Sequence, residues 1–526
     1  MKILNAAQIR AVDTATVNNL KISSLDLMEN AASKCFQWID NQIFTNDDNK
    51  IHLFCGLGNN GGDGLALGRM LSLEFYNVYL YIVHYSDKMS DDFITNFNRA
   101  EEYQIHPVNI YAEEDFPEIE KNDIVIDAIF GTGLNKTPNG LVLNLIQFLN
   151  DSPAVKIAID IPTGLFVDKS VLNKNSVFKA NYVLTFQAPK LAFLLPENEE
   201  FVESFIVLDI GLDQEYVQKQ ETSYYYTTPE DLSEFYKKRK KFSHKGDFGH
   251  SLIIGGSYGK IGSVVLATKS AIKMGSGLVT AYLPKCGYSI LQISVPEAMV
   301  EVDDENIVQH FNINTKASVI GLGVGLGTDE LTSKGLIHFL ENNQLPMVID
   351  ADGINIIAKH QEALHFLNDK VILTPHPKEL KGLIGEWTSD YDKLEKIRDF
   401  TIKYPVVLVV KGAHTMVVQN GNFYFNSSGN PALAKGGSGD VLTGMLTALL
   451  AQKYTPLEAA LLGVYLHGVT ADLYVILSPA ESFTATEIIN YIPSALITLI
   501  RPMDLPDEEN DEISNIEDAD FLDDDF

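Results

Sequence analysis

Cysteine is scarce in this 526-residue chain. Its three cysteines, Cys35, Cys55 and Cys286, share no paired spacing, which argues against a disulfide framework and a cysteine-based zinc site. Positive charge is also short: 40 Lys and Arg stand against 70 Asp and Glu, a net charge of −30. Nucleic acid is therefore disfavoured as a partner, because neutralised phosphates supply most of that affinity. The one dense basic run, KKRKKFSHK at 237–245, is short. No segment offers the roughly 20 uninterrupted apolar residues of a membrane helix. The opening MKILNAAQIRAVD turns polar too early for a secretory leader. A cytoplasmic protein without a membrane partner is expected.

What is present is an α/β pattern, repeated twice. Apolar runs alternate with helix-length segments from Ile51 onward: IHLF, NVYLYIVHY, DIVIDAIF, VKIAIDIP, YVLTFQAP and FIVLDIG. The pattern weakens over residues 213–232 and resumes with SLIIGGS, GLVTAYLP, ASVIGLG, PMVIDADG, VILTP and VVLVVKG. Such alternation predicts parallel, doubly wound sheets. The expected division is a domain over 1–216, a linker at 217–230, a second domain over 231–502 and a tail at 503–526. From Asp504 onward the tail carries twelve Asp and Glu and no Lys or Arg, the composition of a disordered, solubilising segment.

Ligands of such sheets sit at the carboxyl ends of the strands, so the residues just after each run carry the chemistry. In the first half these are NNGGDG (59–64), Asp127 followed by AIFGTGLNKT, and Asp160 followed by IPTG. Gly56, Gly58 and Gly61 satisfy G-x-G-x-x-G, but no clear ribose-binding acid ends the second strand, which argues against a dehydrogenase. Asn60, Asp127 and Thr163 offer hard oxygen ligands without a dense carboxylate cluster. That set suits a weakly charged cation better than zinc. Asp63 and Asp160 suit general acid–base work. The competing reading is plain capping and turn chemistry.

In the second half, NPALAKGGSGDVLTGMLTALL (430–450) places GGSGD at the start of a long apolar helix. The backbone N–H groups of Gly436, Gly437, Ser438 and Gly439 form a candidate anion hole there. Asp440 stands where it could take a proton from a hydroxyl attacking a phosphoryl group. Lys411, Gly412, Ala413, His414 and Thr415 form a second candidate nucleotide-binding turn after the strand VVLVV.

NNGGDG, DAIFGTG and DIPTG, preceded by LMENAA at 27–32, resemble the NAD(P)H-hydrate epimerase family. That resemblance implies that Asn59, Asn60, Gly61, Gly62 and Asp63 bind the hydrated nicotinamide nucleotide. It implies the same for Gly131, Thr132, Gly133, Leu134, Asn135, Lys136 and Thr137, and for Asp160. Potassium would be held by Asn60, Asp127 and Thr163. The second half, through HKGDFGHSLIIGGSYGKIGS, GLGVGLGTD, IDADGINIIA, TPHPKEL, KGAHT and GGSGD, resembles the ribokinase-like NAD(P)H-hydrate dehydratases. Here the resemblance puts residues 411–415, Asn430 and residues 436–439 on an adenine nucleotide. Ser263, Gly325, His376 and Asp440 would lie on the hydrated cofactor.

The implied fold is a Rossmann-like domain followed by a ribokinase-like α/β domain. The implied activity is repair: the first domain interconverts the R and S hydrates of NADH and NADPH, and the second dehydrates the S form at the expense of ADP. Asp440 would be the base of the second reaction and Asp160 an acid or base of the first. Magnesium is expected on the nucleotide phosphates, and a homo-oligomer is expected in solution. The alternative is a ribokinase-like small-molecule kinase fused to a non-catalytic dinucleotide-binding module, whose phosphorylated product would persist. An interaction scaffold with a degenerate first site is a third reading.

Overall fold

The structure, a computed structural model, describes residues 1–42 and 49–500. The expected acidic tail lies outside the described residues.

Seven strands build the first sheet: β1 (Lys50–Cys55), β2 (Asn77–Val83), β3 (Val108–Ile110), β4 (Ile124–Ala128), β5 (Val155–Ile159), β6 (Ala180–Phe186) and β7 (Val202–Leu208). All pair in parallel, in the order β3-β2-β1-β4-β5-β6-β7. Central strands such as β4 are buried throughout, as expected when helices cover both faces. The order reverses between β1 and β4, the switch point at which doubly wound sheets open a ligand crevice.

Three helices frame that crevice: α1 (Ala6–Leu20), α2 (Ser24–Asp40) and α3 (Asn59–Leu73). Asn5 caps α1 by accepting from the N–H groups of Ala7 and Gln8, and the Gln8 amide oxygen accepts from Asn5 N, a reciprocal box that fixes where the helix starts. Helix α2 buries Met28, Ala31, Ala32, Cys35 and Ile39. Glu29 holds it to α3 by accepting from Arg69 at 2.6 Å through both oxygens, and Arg99 adds a third contact at 2.8 Å.

The second sheet has ten strands: β8 (Tyr224–Thr227), β9 (His250–Ile254), β10 (Leu278–Leu283), β11 (Met299–Val302), β12 (Val319–Leu322), β13 (Met347–Ile349), β14 (Val371–Leu373), β15 (Val407–Val410), β16 (Met416–Gln419) and β17 (Asn422–Asn426). Their order is β11-β10-β9-β12-β13-β14-β15-β16-β17-β8. Only the β15–β16 and β16–β17 pairs are antiparallel. Asn420 and Gly421 turn the second hairpin with both φ positive, the two-residue turn that suits strand twist. The helices Ser438–Ala451 and Pro456–Val475 are apolar nearly all round and buried, which places them inside the domain rather than on it.

The expected linker is not a bare connection. Residues 224–227 form β8, an edge strand of the second sheet, parallel to β17. Residues 1–3 bond to β8 from its other side: Ile3 N donates to Tyr224 O at 3.0 Å and Tyr226 N to Met1 O at 2.8 Å. Nor do the cores divide at residue 217, because Ile3, Leu191, Leu194 and Leu195 pack into one cluster with Leu373, Phe423 and Phe425. A short apolar run cannot announce from sequence which of two sheets it will join.

A reciprocal polar contact completes the seam. Asp390 accepts from Glu197 N at 2.7 Å, and Glu197 accepts from Asp390 N at 2.7 Å. Asp390 also pairs with Lys393, and both side chains are 8% exposed. Removing one partner of such a pair leaves a buried charge uncompensated. Asp390→Ala is therefore expected to lower unfolding free energy by about 3–5 kcal/mol, read as a shifted denaturant midpoint; a loss under about 1 kcal/mol would show that Lys393 finds water instead.

Candidate functional site

Residues 59–64 are the first turns of α3, directly after β1. The turn lies tight against the end of β4. A Cβ on Gly56 would meet Ile129 O at 2.0 Å, and one on Gly61 would meet Gly56 O at 1.8 Å. Glycine is required at both places because backbone packs on backbone. Gly62 is buried against Met28 Sδ, so Gly61 and Gly62 shape the wall from behind.

Asn59, Asn60, Asp63, residues 131–137 and Asp160 all line one cavity of about 1150 Å³ between α1, α3 and the carboxyl ends of β4, β5 and β6. Under its floor, Asp127 is fully buried and accepts from Thr163 N and Thr163 Oγ1, each at 2.7 Å, and from Ile129 N at 3.1 Å. Burial pushes its carboxyl up to about 6 despite those bonds. Thr163 Oγ1 in turn accepts from Phe130 N at 2.9 Å. Asn60 is 8% exposed, and its amide nitrogen has no partner. A half-turn of that amide exchanges nitrogen for oxygen, which would direct a free carbonyl oxygen to the same spot. One carboxylate, one hydroxyl and one uncommitted amide oxygen fit a monovalent cation.

Asp160 adopts φ +64, and Ile161 N donates across it to Ile159 O at 2.8 Å. Such a turn is strained for a non-glycine residue. Gln187 at the end of β6 repeats it, with φ +65 and Ala188 N donating to Phe186 O at 2.8 Å. The two turns bring Asp160 within 2.7 Å of Lys190 Nζ, with the side chains 10% and 4% exposed. Asp13, on α1, lines the same cavity.

In the second half, Gly437 caps the helix Ser438–Ala451 with φ +91, and a Cβ there would meet Leu266 at 2.7 Å. Ser438 is held from below by His467, whose Nε2 lies 3.1 Å from Ser438 O. Complete burial lowers His467 to about 4, so the ring is neutral. Asp440 bonds the Ser263 hydroxyl, and burial raises its carboxyl to about 6. Gly325 sits close by, where a Cβ would meet Lys260 O at 2.7 Å and Ser263 Cβ at 3.1 Å. Beside Gly439, Lys411 Nζ pairs with Asp350 at 2.7 Å, and Thr443 donates to the other Asp350 oxygen at 2.8 Å.

Other expected contributors have partners of their own. His376 caps the helix Pro377–Ile384: its Nδ1 accepts from Lys378 N at 3.1 Å and its Nε2 lies 3.2 Å from Glu379. The His414 ring packs against Phe205 of β7, 5.9 Å between centroids, while Gly412 and Ala413 of the same turn stay exposed. Asn430 caps a 3-10 turn and donates to Asp472 at 2.8 Å. Gly436 is open, with nothing near its Cβ direction.

Comparison with known proteins bears on both sites. The family described as YjeF-related protein N-terminus matches residues 24–192, and the NAD(P)H-hydrate dehydratase family matches residues 251–494. A bifunctional NAD(P)H-hydrate repair enzyme of Escherichia coli is 31% identical over 517 residues, covering 97% of this chain and 96% of its own length. The same-named enzyme of Moorella thermoacetica is 30% identical over 516 residues, covering 95% and 97%. The chain belongs to the bifunctional NAD(P)H-hydrate repair enzymes. Among solved structures, a Bacillus subtilis ADP/ATP-dependent NAD(P)H-hydrate dehydratase co-crystallised with ATP and Mg2+ is similar over 52% of this chain and 98% of its own, at 26% identity and a TM-score of 0.46.

For a repair enzyme of this family, sequence reasoning overlooked four charged residues. Lys190 follows β6 directly, and inspecting that strand end as the others were inspected would have found it. Asp350 ends β13 in the same way. Glu379, next to Lys411 and raised mainly by burial, and Asp13 sit within helices, where their spacing looks like ordinary surface patterning.

His467 also sets a pH dependence. Its folded value, about 4, lies below the unfolded 6.5, so the unfolded chain binds the extra proton and stability falls as pH drops from 6.5 toward 4. The loss attributable to this residue is about 3 kcal/mol. His467→Asn should flatten that part of the stability–pH curve; an unchanged slope would mean other groups dominate it.

Proposed function

We propose that the two sites act in sequence on hydrated NADH and NADPH, with ADP as the phosphoryl donor. The observation that carries the second step is the Asp440–Ser263 pair at the mouth of a glycine-lined helix N-terminus, beside the Lys411–Asp350 pair. Asp440 takes the proton of the S hydrate's hydroxyl as its oxygen attacks the terminal phosphoryl group. The N–H groups of residues 436–439 face the charge that develops. Phosphate then leaves with the C–O electron pair while the ring nitrogen donates its lone pair, and loss of a neighbouring ring proton restores the double bond. Phosphate is a far better leaving group than hydroxide, which is the reason for spending a nucleotide.

Residues 411–415, Asn430 and Gly436 cradle the adenine nucleotide through backbone groups, and Gly325 and His376 border the hydrated cofactor. Among the described residues no three His, Cys, Asp or Glu converge on a metal position; magnesium is carried on the nucleotide phosphates and neutralises them. In the first domain, Asn60, Asp127 and Thr163 hold potassium, a reading supported by the unpartnered Asn60 amide. Residues 59–63, 131–137 and Asp160 bind the hydrate. The protein works in the cytoplasm as a homo-oligomer. Exposed Ile290, Ile293 and Met299 around edge strand β11 support the latter.

The test is recovery of absorbance at 340 nm from mixed R and S NADH hydrate with ADP, magnesium and potassium. Asp440→Asn should lose about 10³-fold or more in recovery. Asp160→Asn should keep the fast S phase and lose the accelerated R phase. Because Asp440 must be ionised to act, the S phase should rise with pH through about 6. Replacing potassium by choline should slow only the R phase. A phosphorylated product that persists without recovery of NADH would establish the kinase alternative.

A further inference from the structure

Water adds to a dihydronicotinamide across an enamine, so the hydroxyl of the hydrate sits on the carbon bonded to the ring nitrogen. Inverting that carbon requires its C–O bond to break and re-form on the other face. Hydroxide is a poor leaving group, so the departing oxygen needs a proton donor, and the cation left behind needs an anion. Six carboxyl groups line the cavity of the first domain, those of Asp13, Asp63, Asp92, Asp160, Glu230 and Asp231; Asp13, Asp63 and Asp160 act on one another electrostatically, and their surroundings differ.

Asp160 is tied to Lys190 at 2.7 Å. Asp63, on α3, is pushed well up, by burial first and then by Asp160, Asp13 and Asp92. Asp13, on α1, lines the same cavity, near enough to Asp160 and Lys190 for their charges to act on it. No hydrogen bond ties it down among the described contacts, unlike Asp160. Burial and Asp160 push it up while Lys190 draws it back, leaving it near 6. Arg10, one turn earlier on the same helix, lines the cavity as well. The unpartnered Asn60 amide nitrogen and the unpartnered Gln187 Oε1 belong to residues that line the same cavity.

We propose that Asp13 is the proton donor of the epimerisation, a role that rests on the epimerase reading of this cavity. The Asp13 carboxyl protonates the hydroxyl; the C–O bond breaks and its electron pair leaves with water. The ring nitrogen's lone pair forms a C=N bond, and the resulting cation is held by the Asp160 carboxylate. Water then adds to the opposite face, the C=N pair returns to nitrogen, and the surplus proton passes to the Asp160 carboxylate. Solvent returns it to Asp13, so that one proton is given and one recovered per inversion. A donor near the working pH both gives and retakes a proton readily.

The bifunctional chain supplies its own control, since S-hydrate dehydration reports on folding and on the second site. Purified R hydrate with ADP and magnesium is followed at 340 nm from pH 5 to 9, above the uncatalysed rate. Wild type should show an R phase that falls as pH rises through about 6. Asp13→Asn should lower the kcat of that phase about 10²–10³-fold, with S dehydration unchanged and the pH limb gone. Asp13→Glu should recover at least about tenfold over Asn and restore the limb. An Asn variant within threefold of wild type overturns the proposal. So does a slow Asn variant that keeps the limb, or a Glu variant no faster than Asn. A wild-type R phase no faster than the uncatalysed rate would instead overturn the epimerase reading itself.

Discussion

Each domain keeps a strand-end aspartate out of water by giving it a lysine. Lys190 pairs with Asp160 just after β6, and Lys411 pairs with Asp350 just after β15, both at 2.7 Å. Burying either carboxylate alone would cost several kcal/mol, so the strand-end turns beside them stay ordered only because the lysine comes with the fold. Asp160 illustrates the dependence: its left-handed backbone is unfavourable, and the ion pair is what the strain delivers. Asp350 is also tied to Thr443 on the helix that carries Asp440, so the same pair fixes that helix against the sheet.

With those anions fixed, the remaining carboxyl groups can be set by burial. Asp13 and Asp440 both rise to about 6, but the chemistry asks for opposite forms. Loss of a hydroxyl wants the protonated carboxyl, whereas activation of a hydroxyl wants the ionised one. With the proposed roles, a single chain would run one site better in mild acid and the other above it, and near neutrality each would retain a usable fraction of the required form.

The parallel sheets and the strand-end motifs were legible in the sequence because they rest on local signals. Continuous Val/Ile runs mark buried parallel strands, and glycine marks close backbone approach, as at Gly56 and Gly61. The strands β3, β8, β11, β16 and β17 went unread. Most are short and half-exposed, so burial contributes little pattern. The β16–β17 hairpin had a readable sign in Asn420-Gly421, which was passed over. Lys190 and Asp350 obeyed a rule applied to other strand ends. His414 and Asn430 were assigned by motif, and only packing shows their side chains engaged with Phe205 and Asp472. Asp13 could not be found locally, since what distinguishes it is which strand ends share a cavity with α1.

The placement of β8 bears on how the chain is made. Residues 1–3 bond to β8, about 220 residues later, and β8 bonds to β17, about 200 residues after that. At ribosomal rates of about 5–20 residues per second, β8 waits on the order of 10–40 s for its neighbour to emerge. Through that interval the first domain can close its own seven-stranded sheet, yet one edge of β8 stays open. The nascent protein therefore carries an unpaired strand edge of the kind that invites wrong partners, and that edge closes only once β17 of the second sheet has been made.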